Sequence, residues 1–320
     1  MANATLTNEE SPLAEPAART RRRGPRLAAP AYRNVGSPWP VLVLFLPPAI
    51  LLFTVFVILP IAEAGWYSLY DWSGYGKPED FVGLRNFELL WGSRAFQTAL
   101  TNNGLIILVS LGLQLPLALW LATLLAHRIP GATVFRLIFF LPYVLADVAA
   151  GLIWRFVYDG DYGLVASIAS LLNLGTPYVL ADRHLAIYAV LAVVVWKYFG
   201  FHMMLFIAGL QSIDKSLYEA ADLDGATGWQ KFKNITLPLL SPTIRLSVFF
   251  SVIGSLQLFD MIMPLTGGGP SNSTQTMVTF LYTYGITRMK VGFGSAIGVV
   301  LFVICVVLAF SYRRIFMRHD

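Results

Sequence analysis

The chain has 320 residues, of which 23 are Lys or Arg and 18 are Asp or Glu, so 13% of the side chains are charged against about 25% in an ordinary soluble domain. Hydrophobic residues make up 56% and the mean hydropathy is +0.63, more apolar surface than one soluble core of this length can hide. A single cysteine, Cys305, excludes an intrachain disulfide framework and any multi-cysteine metal site, and His127, His184, His202 and His319 lie far apart, so neither thiol nor metal chemistry is expected.

Residues 1–36 are rich in Ala, Arg, Pro, Glu and Asn and nearly free of aromatics, a composition that cannot bury enough surface to fold alone. They are expected to form a disordered basic cytoplasmic tail, whose charge suits anionic lipid head groups better than nucleic acid. Residues 37–320 are expected to form one membrane domain. Six windows there meet the roughly twenty apolar residues a helix needs to cross a bilayer: 41–66, 105–126, 137–157, 185–210, 243–263 and 293–312. The first follows an Arg-rich stretch and ends near Ala62-Glu63-Ala64, which mimics a signal-peptidase site. Its apolar run is too long for a signal core, so it reads as a retained helix bent at Pro47, Pro48 or Pro60. Fifteen of the 23 basic residues fall in the tail, at Arg128 and Arg136, at Lys215, Lys231, Lys233 and Arg245, and at Arg313, Arg314 and Arg318. Seven flank the opposite ends of the spans, and Lys197 lies within one. Basic residues stay on the cytoplasmic side, which predicts that both termini are cytoplasmic.

Between the fourth and fifth windows, residues 211–242 carry too many helix signals to be a plain linker. Ser216-Leu217-Tyr218-Glu219 has the form of a capping box, and Gly225 is suited to end that helix. Thr227-Gly228-Trp229-Gln230 is a second box; Trp229, Phe232 and Ile235 mark an apolar face, and Pro238 and Pro242 are expected to terminate the second helix. Ala220 and Ala221 between Glu219, Asp222 and Asp224 would let another surface approach closely, with the acids setting its register. On helix signals alone, a loop folded back on its own bundle is an equally good reading.

The run from Glu219-Ala220-Ala221 through Asp224-Gly225-Ala226 and Trp229 to Ile235-Thr236-Leu237-Pro238 resembles the EAA loop of permease subunits in binding-protein-dependent ABC importers. The segments 196–213 and 258–270 are similar to the carbohydrate group of these permeases, in particular the MalF-like member of each pair, and the resemblance extends over nearly everything from Val41 onward. It implies an all-α integral membrane protein with the type I importer permease fold, six transmembrane helices and a cytoplasmic coupling helix between spans four and five. It further implies a second, MalG-like permease subunit, two ATP-binding cassette subunits docked on the coupling loops, an extracytoplasmic sugar-binding protein and a bacterial inner-membrane location. ATP and Mg would be used by the partner ATPase; no G-x-x-x-x-G-K-[ST] sequence occurs here, since Gly76-Lys77 is followed by Pro78. Within the group, the segments at 197–202 and 255–261 are most similar to permeases of chitobiose or N-acetylglucosamine type, and related permeases also move glycerol phosphate esters.

Intramembrane polar residues are costly and mark bundle interiors or wet cavities. Asp147, Lys197, Ser247, Ser251 and Ser255 stand out; the three serines recur every fourth residue on one helix face, a pattern more often made by close packing or back-bonding to the preceding turn than by ligand contacts. Lys197, Tyr198, Phe201, His202, Ser251, Ser255, Gln257 and Asp147 are the candidates for the substrate pathway, with a Lys197–Asp147 ion pair as the competing role for those two. The resemblance agrees, in that sugar contacts come from the helices flanking the EAA loop. The coupling candidates are Glu219, Ala220, Ala221, Asp224, Gly225, Ala226, Trp229 and Pro238. Glu63 and Asp260 read as interface residues, 267–270 as a flexible outer turn, and 294–298 as a small-residue packing seam. A one-acid, one-base arrangement offers only a weak basis for the alternative, an ion-coupled secondary transporter, and no internal repeat of the kind such proteins carry is visible.

Overall fold

A computed structural model describes residues 39–126, 130–175 and 178–316; the expected N-terminal tail lies outside them. The regular elements among the described residues are all helices, apart from one isolated antiparallel bridge between Tyr70 and Phe81. In chain order the helices are α1 (Val41–Tyr67), α2 (Arg85–Gly92), α3 (Arg94–Ala126), α4 (Ala132–Val144), α5 (Asp147–Val157), α6 (Leu164–Leu171), α7 (Leu185–Gln211), α8 (Lys215–Leu223), α9 (Gly228–Leu256), α10 (Ile262–Thr266), α11 (Met277–Leu281) and α12 (Val291–Phe316). Five of them, α1, α3, α7, α9 and α12, are each long and apolar enough to cross a membrane, and α4 with α5 supplies a sixth crossing if that bent pair is one span. The chain divides into two compact units at residues 54 and 55. In the first, residues 41–53 expose every side chain, as lipid-facing apolar residues do.

Within the second unit, three apolar clusters hold the helices together. Ala118 and Ala122, one turn apart on α3 and fully buried, let α7 approach, so that Met203, Phe206 and Ile207 pack over Leu115 and Leu125. Ile106 of α3 meets Val190, Val193 and Val194 of α7 and Met261, Ile262 and Leu265 around α10. Leu90, Phe96, Met277, Phe280 and Ile297 close the third cluster. A side chain at Gly294 would place its Cβ 2.5 Å from the Gly285 Cα, so the small-residue run serves close packing as expected.

Three expectations about the spans are corrected. The third is broken: α4 and α5 meet at 98°. Leu145 and Ala146 are extended there, with ψ of 140° each. The second span starts at Arg94 rather than near 105, and the fifth runs from Gly228 and ends at Leu256 rather than near 263. Pro238 and Pro242 therefore do not terminate the second loop helix; it continues through both. A wide π-turn over Phe232–Thr236 lies two residues before Pro238. Thr54–Ile58 stands in the same relation to Pro60, and Ser110–Gln114 to Pro116. A proline ring crowds the carbonyl four residues back and has no N–H to give it, and a turn with one extra residue moves that carbonyl aside without ending the helix.

Candidate functional site

The break between α4 and α5 exposes carbonyls that a continuous helix would have bonded internally, and a membrane interior offers no water to replace those bonds. Lys197 of α7 replaces them. Its Nζ, on a side chain only 1% exposed, donates to Pro142 O at 3.3 Å and to Leu145 O at 2.5 Å, and it pairs with Asp147 Oδ1 at 3.0 Å. Three acceptors match the three hydrogens of an ammonium group. The cation thus sits at the C-terminal end of α4 and the carboxylate in the first turn of α5, where the helix dipoles favour each. Tyr198 Oη donates to the same Asp147 Oδ1 at 3.0 Å. Gly200, one turn further along α7, faces Phe139 O so closely that any Cβ would collide with it.

This clasp borders a cavity of about 410 Å³ between α3, the α4–α5 break, α7 and the C-terminal part of α9. Of the pathway candidates, Asp147, Tyr198, Phe201, His202, Ser251, Ser255 and Gln257 all line it; Lys197 lies behind the wall instead. The serine stripe is divided. Ser255 Oγ donates to Ser251 O at 2.7 Å, the back-bonding role, and Ser247 is fully buried away from the cavity. Ser110 and Gln114 of α3, Tyr143 of α4, and Phe259 and Asp260 after α9 also line the cavity, although none was a pathway candidate from the sequence. Gln114 sits in the π-turn ahead of Pro116, a signal that a polar residue beside a membrane proline would have given. Asp260 is corrected from interface residue to cavity wall.

Gln114, His202 and Ser251 each line the cavity, are nine-tenths buried or more, and each leaves a buried polar atom, Oε1, Nδ1 and Oγ, without an intramolecular hydrogen bond. Buried polar atoms in folded proteins nearly always have partners. Tyr143 stacks on Phe201 with centroids 4.8 Å apart and the planes at 22°, so the wall combines aromatic rings with polar groups.

Two adjacent asparagines, absent from the sequence candidates, brace the segment between the end of α9 and the start of α11. Asn102 Nδ2 donates to Ser273 O and Gln275 O at 2.8 and 2.9 Å, and Asn103 donates to Ser255 O while accepting from Met277 N, both at 2.8 Å. Thr274 Oγ1 donates to Gly269 O at 2.7 Å. The 267–270 turn is therefore bonded in place and not the loose turn expected.

The loop after α7 is a helical hairpin. Its first box is corrected: the cap of α8 is Asp214, which accepts from Ser216 N at 2.9 Å, and Ser216 lies inside the helix. That bond to Ser216 N, reinforced by the Ser216 side chain, holds the Asp214 carboxyl below its ordinary value. The stop is as expected. Gly225 adopts φ +75°, Gly225 N donates to Asp222 O and Ala226 N to Ala221 O, the paired bonds of a Schellman motif. The second box, Thr227 with Gln230, is fully formed. Tyr218 Oη and Thr236 Oγ1 share a hydrogen bond of 2.9 Å and Lys231 pairs with Asp222 at 2.5 Å, so α8 is tied to the start of α9. The hairpin does not fold back on the bundle: α8 has no buried residue, Leu223 is 91% exposed and Trp229 69%. Glu219, Ala220, Asp224, Gly225 and Pro238 are exposed as well, with Ala221 and Ala226 half-buried.

A bundle of long apolar helices, a polar cavity at a broken span and an outlying helical hairpin define a membrane permease. The chain belongs to the family of binding-protein-dependent transport system inner membrane components, whose model matches residues 114–318. It is 33% identical to the sulfoquinovosyl glycerol transport system permease protein SmoG of Agrobacterium fabrum (strain C58 / ATCC 33970), over 87% of this chain and 91% of the relative. It is also 33% identical to the trehalose/maltose transport system permease protein MalF of Thermococcus litoralis (strain ATCC 51850 / DSM 5473 / JCM 8560 / NS-C), over 85% and 92%. A crystal structure of a bacterial ABC transporter involved in import of the acidic polysaccharide alginate contains a chain of the same fold, with a TM-score of 0.75, 24% identity and 87% and 96% coverage. The protein is thus a transmembrane component of an ABC importer and not an enzyme.

Proposed function

We propose that this chain forms half of the translocation pathway of an ATP-driven importer for a di- or oligosaccharide, of chitobiose or N-acetylglucosamine type. The observation that carries it is the cavity, where Tyr143, Tyr198, Phe201 and Phe250 stand beside Asp147, His202, Ser251, Ser255 and Gln257. Flat apolar C–H faces of a sugar ring fit aromatic walls, and its hydroxyls supply the donors and acceptors that such a wall uses for orientation. Family membership and the relatives named for sugar systems support this reading.

The partners in this proposal are a MalG-like second permease, two ATPase subunits that use ATP and Mg, and an extracytoplasmic binding protein, all in a bacterial inner membrane with both termini cytoplasmic. The exposed hairpin is the docking element: Glu219, Ala220, Ala221, Asp224, Gly225, Ala226 and Trp229 meet the ATPase, joined by Leu223, and Pro238 follows where α9 enters the bundle. Closure of the ATPase pair on nucleotide moves the hairpin as a rigid piece. Because α8 is linked to α9 and α7 leads directly into the hairpin, that motion shifts two helices that carry nearly half of the cavity wall, a change of population between inward- and outward-open states. Asp147 and Lys197 lack a relay that would make them a proton pathway, which leaves ion coupling as the weaker alternative.

The test is gentle affinity purification from the native membrane, identification of the stoichiometric partners by mass spectrometry, and reconstitution into vesicles. A second permease, an ATPase and ATP-dependent sugar uptake are expected. A chain that runs alone or as a homodimer and still transports overturns the reading.

A further inference from the structure

We propose that the cavity admits saccharides without an anionic group and disfavours those bearing a carboxylate, phosphate or sulfonate. This rests on the transport reading above and narrows its substrate class. Family membership leaves the point open, since the relatives' names range from a sulfoquinovosyl glycerol to trehalose and maltose.

The lining includes two carboxylates, Asp147 and Asp260, and no Lys or Arg. The nearby cation, Lys197, lies outside the lining with its three hydrogens directed to Pro142 O, Leu145 O and Asp147 Oδ1, so none is left for a solute. Lys197 balances Asp147. Asp260 is exposed and has no ion pair among the described residues, and it therefore gives this wall a net negative charge. An anionic group entering here would lose hydration, meet like charge and find no guanidinium or ammonium to receive it. Hydroxyl groups are served instead. Both bonds of Asp147 fall on Oδ1, so Oδ2 remains an acceptor, and the unpartnered atoms of Gln114, His202 and Ser251 take hydroxyl hydrogens or lone pairs.

The field can be read without knowing the sugar. Gly254 lines the cavity, and a Cβ there meets nothing within 4 Å. In the intact complex, Cys305 is replaced by Ala and a thiol is introduced by Gly254→Cys, with Gln257→Cys as a second reporter. Each is reacted with a cationic (trimethylammonium ethyl) and an anionic (sulfonatoethyl) methanethiosulfonate, and modification is followed by intact mass of this chain. The cation-to-anion rate ratio is divided by the same ratio for a small thiol in solution. The expected value is about tenfold in favour of the cation, the size of effect a focused field produces, falling towards one with Asp260→Asn and with rising salt. A normalised ratio of one or less, a ratio unmoved by Asp260→Asn, or no reaction at either position overturns the proposal. Labelling does not require transport, so failure of ATP-dependent uptake with the ratio intact would remove the sugar-import reading and leave the charge of the cavity standing.

Discussion

Lys197 illustrates how an intramembrane charge is tolerated. Its ammonium group replaces the hydrogen bonds that the break between α4 and α5 removes, and Asp147 neutralises it. Lys197→Met leaves two carbonyls and a half-buried carboxylate without their partner, and leaving a buried acceptor unsatisfied costs about 1–3 kcal/mol. The purified complex is expected to unfold at a clearly lower temperature in that variant. Adding Asp147→Asn should recover part of the loss, and a double variant no better than the single would argue against the pairing. At the other end of α7, Asp214 caps α8 with its pKa held below the ordinary 3.8 by the Ser216 N–H. A carboxylate with a depressed folded pKa stabilises above its unfolded value, and that contribution disappears as the pH falls through the folded value. The protection of α8 amides, measured relative to their intrinsic exchange rates at each pH, should therefore fall selectively as the pH is lowered from about 5 to below 3.8. Asp214→Ala should exchange fast throughout, without that pH step.

Among the elements, the α8–α9 hairpin combines rigidity with exposure. Its stop depends on Gly225, where φ is +75° and a side chain would meet nothing within 4 Å, so substitution there is penalised by backbone conformation alone. Asn tolerates the left-handed region far better than a β-branched residue. Gly225→Asn is expected to retain most ATPase docking and uptake. Gly225→Val should lose docking by tenfold or more, about the effect of 1–2 kcal/mol of backbone strain, while the bundle still inserts. Equal behaviour of the two variants in a pull-down of the ATPase would sink this account. The π-turns matter at the same scale: the turn at Phe232–Thr236 lets Pro238 lie inside one unbroken helix that runs from the hairpin to Ser251 and Ser255.

For the molecule as a whole, exposure and burial point to an assembly larger than this chain. Asp260, Gln257 and Gly254 line the cavity yet are exposed, as one half of a two-subunit pathway would be. Leu223 and Trp229 expose apolar surface on a charged hairpin, and exposed apolar groups rimmed by charge commonly mark a protein contact. The same purification that names the partners tests both faces.

The apolar windows, the helical character of the 211–242 loop, the Gly225 stop and the Thr227–Gln230 box were legible in the sequence because each depends on composition or on residues a few positions apart. Ser216 misled because Asp214, two residues earlier, is the stronger cap and already takes the free N–H. Pro238 misled because a proline ends a regular α-turn, and only the backbone shows that a wider turn has absorbed it. What the tertiary structure alone decided is longer in range. Whether Lys197 pointed to a solute or to a neighbour depended on carbonyls more than fifty residues away, freed by a break in α4–α5 that hydropathy, being an average over side chains, does not register. Asp260 and Gln114 joined the cavity for the same reason: a helix face becomes a wall only when its neighbours are in place.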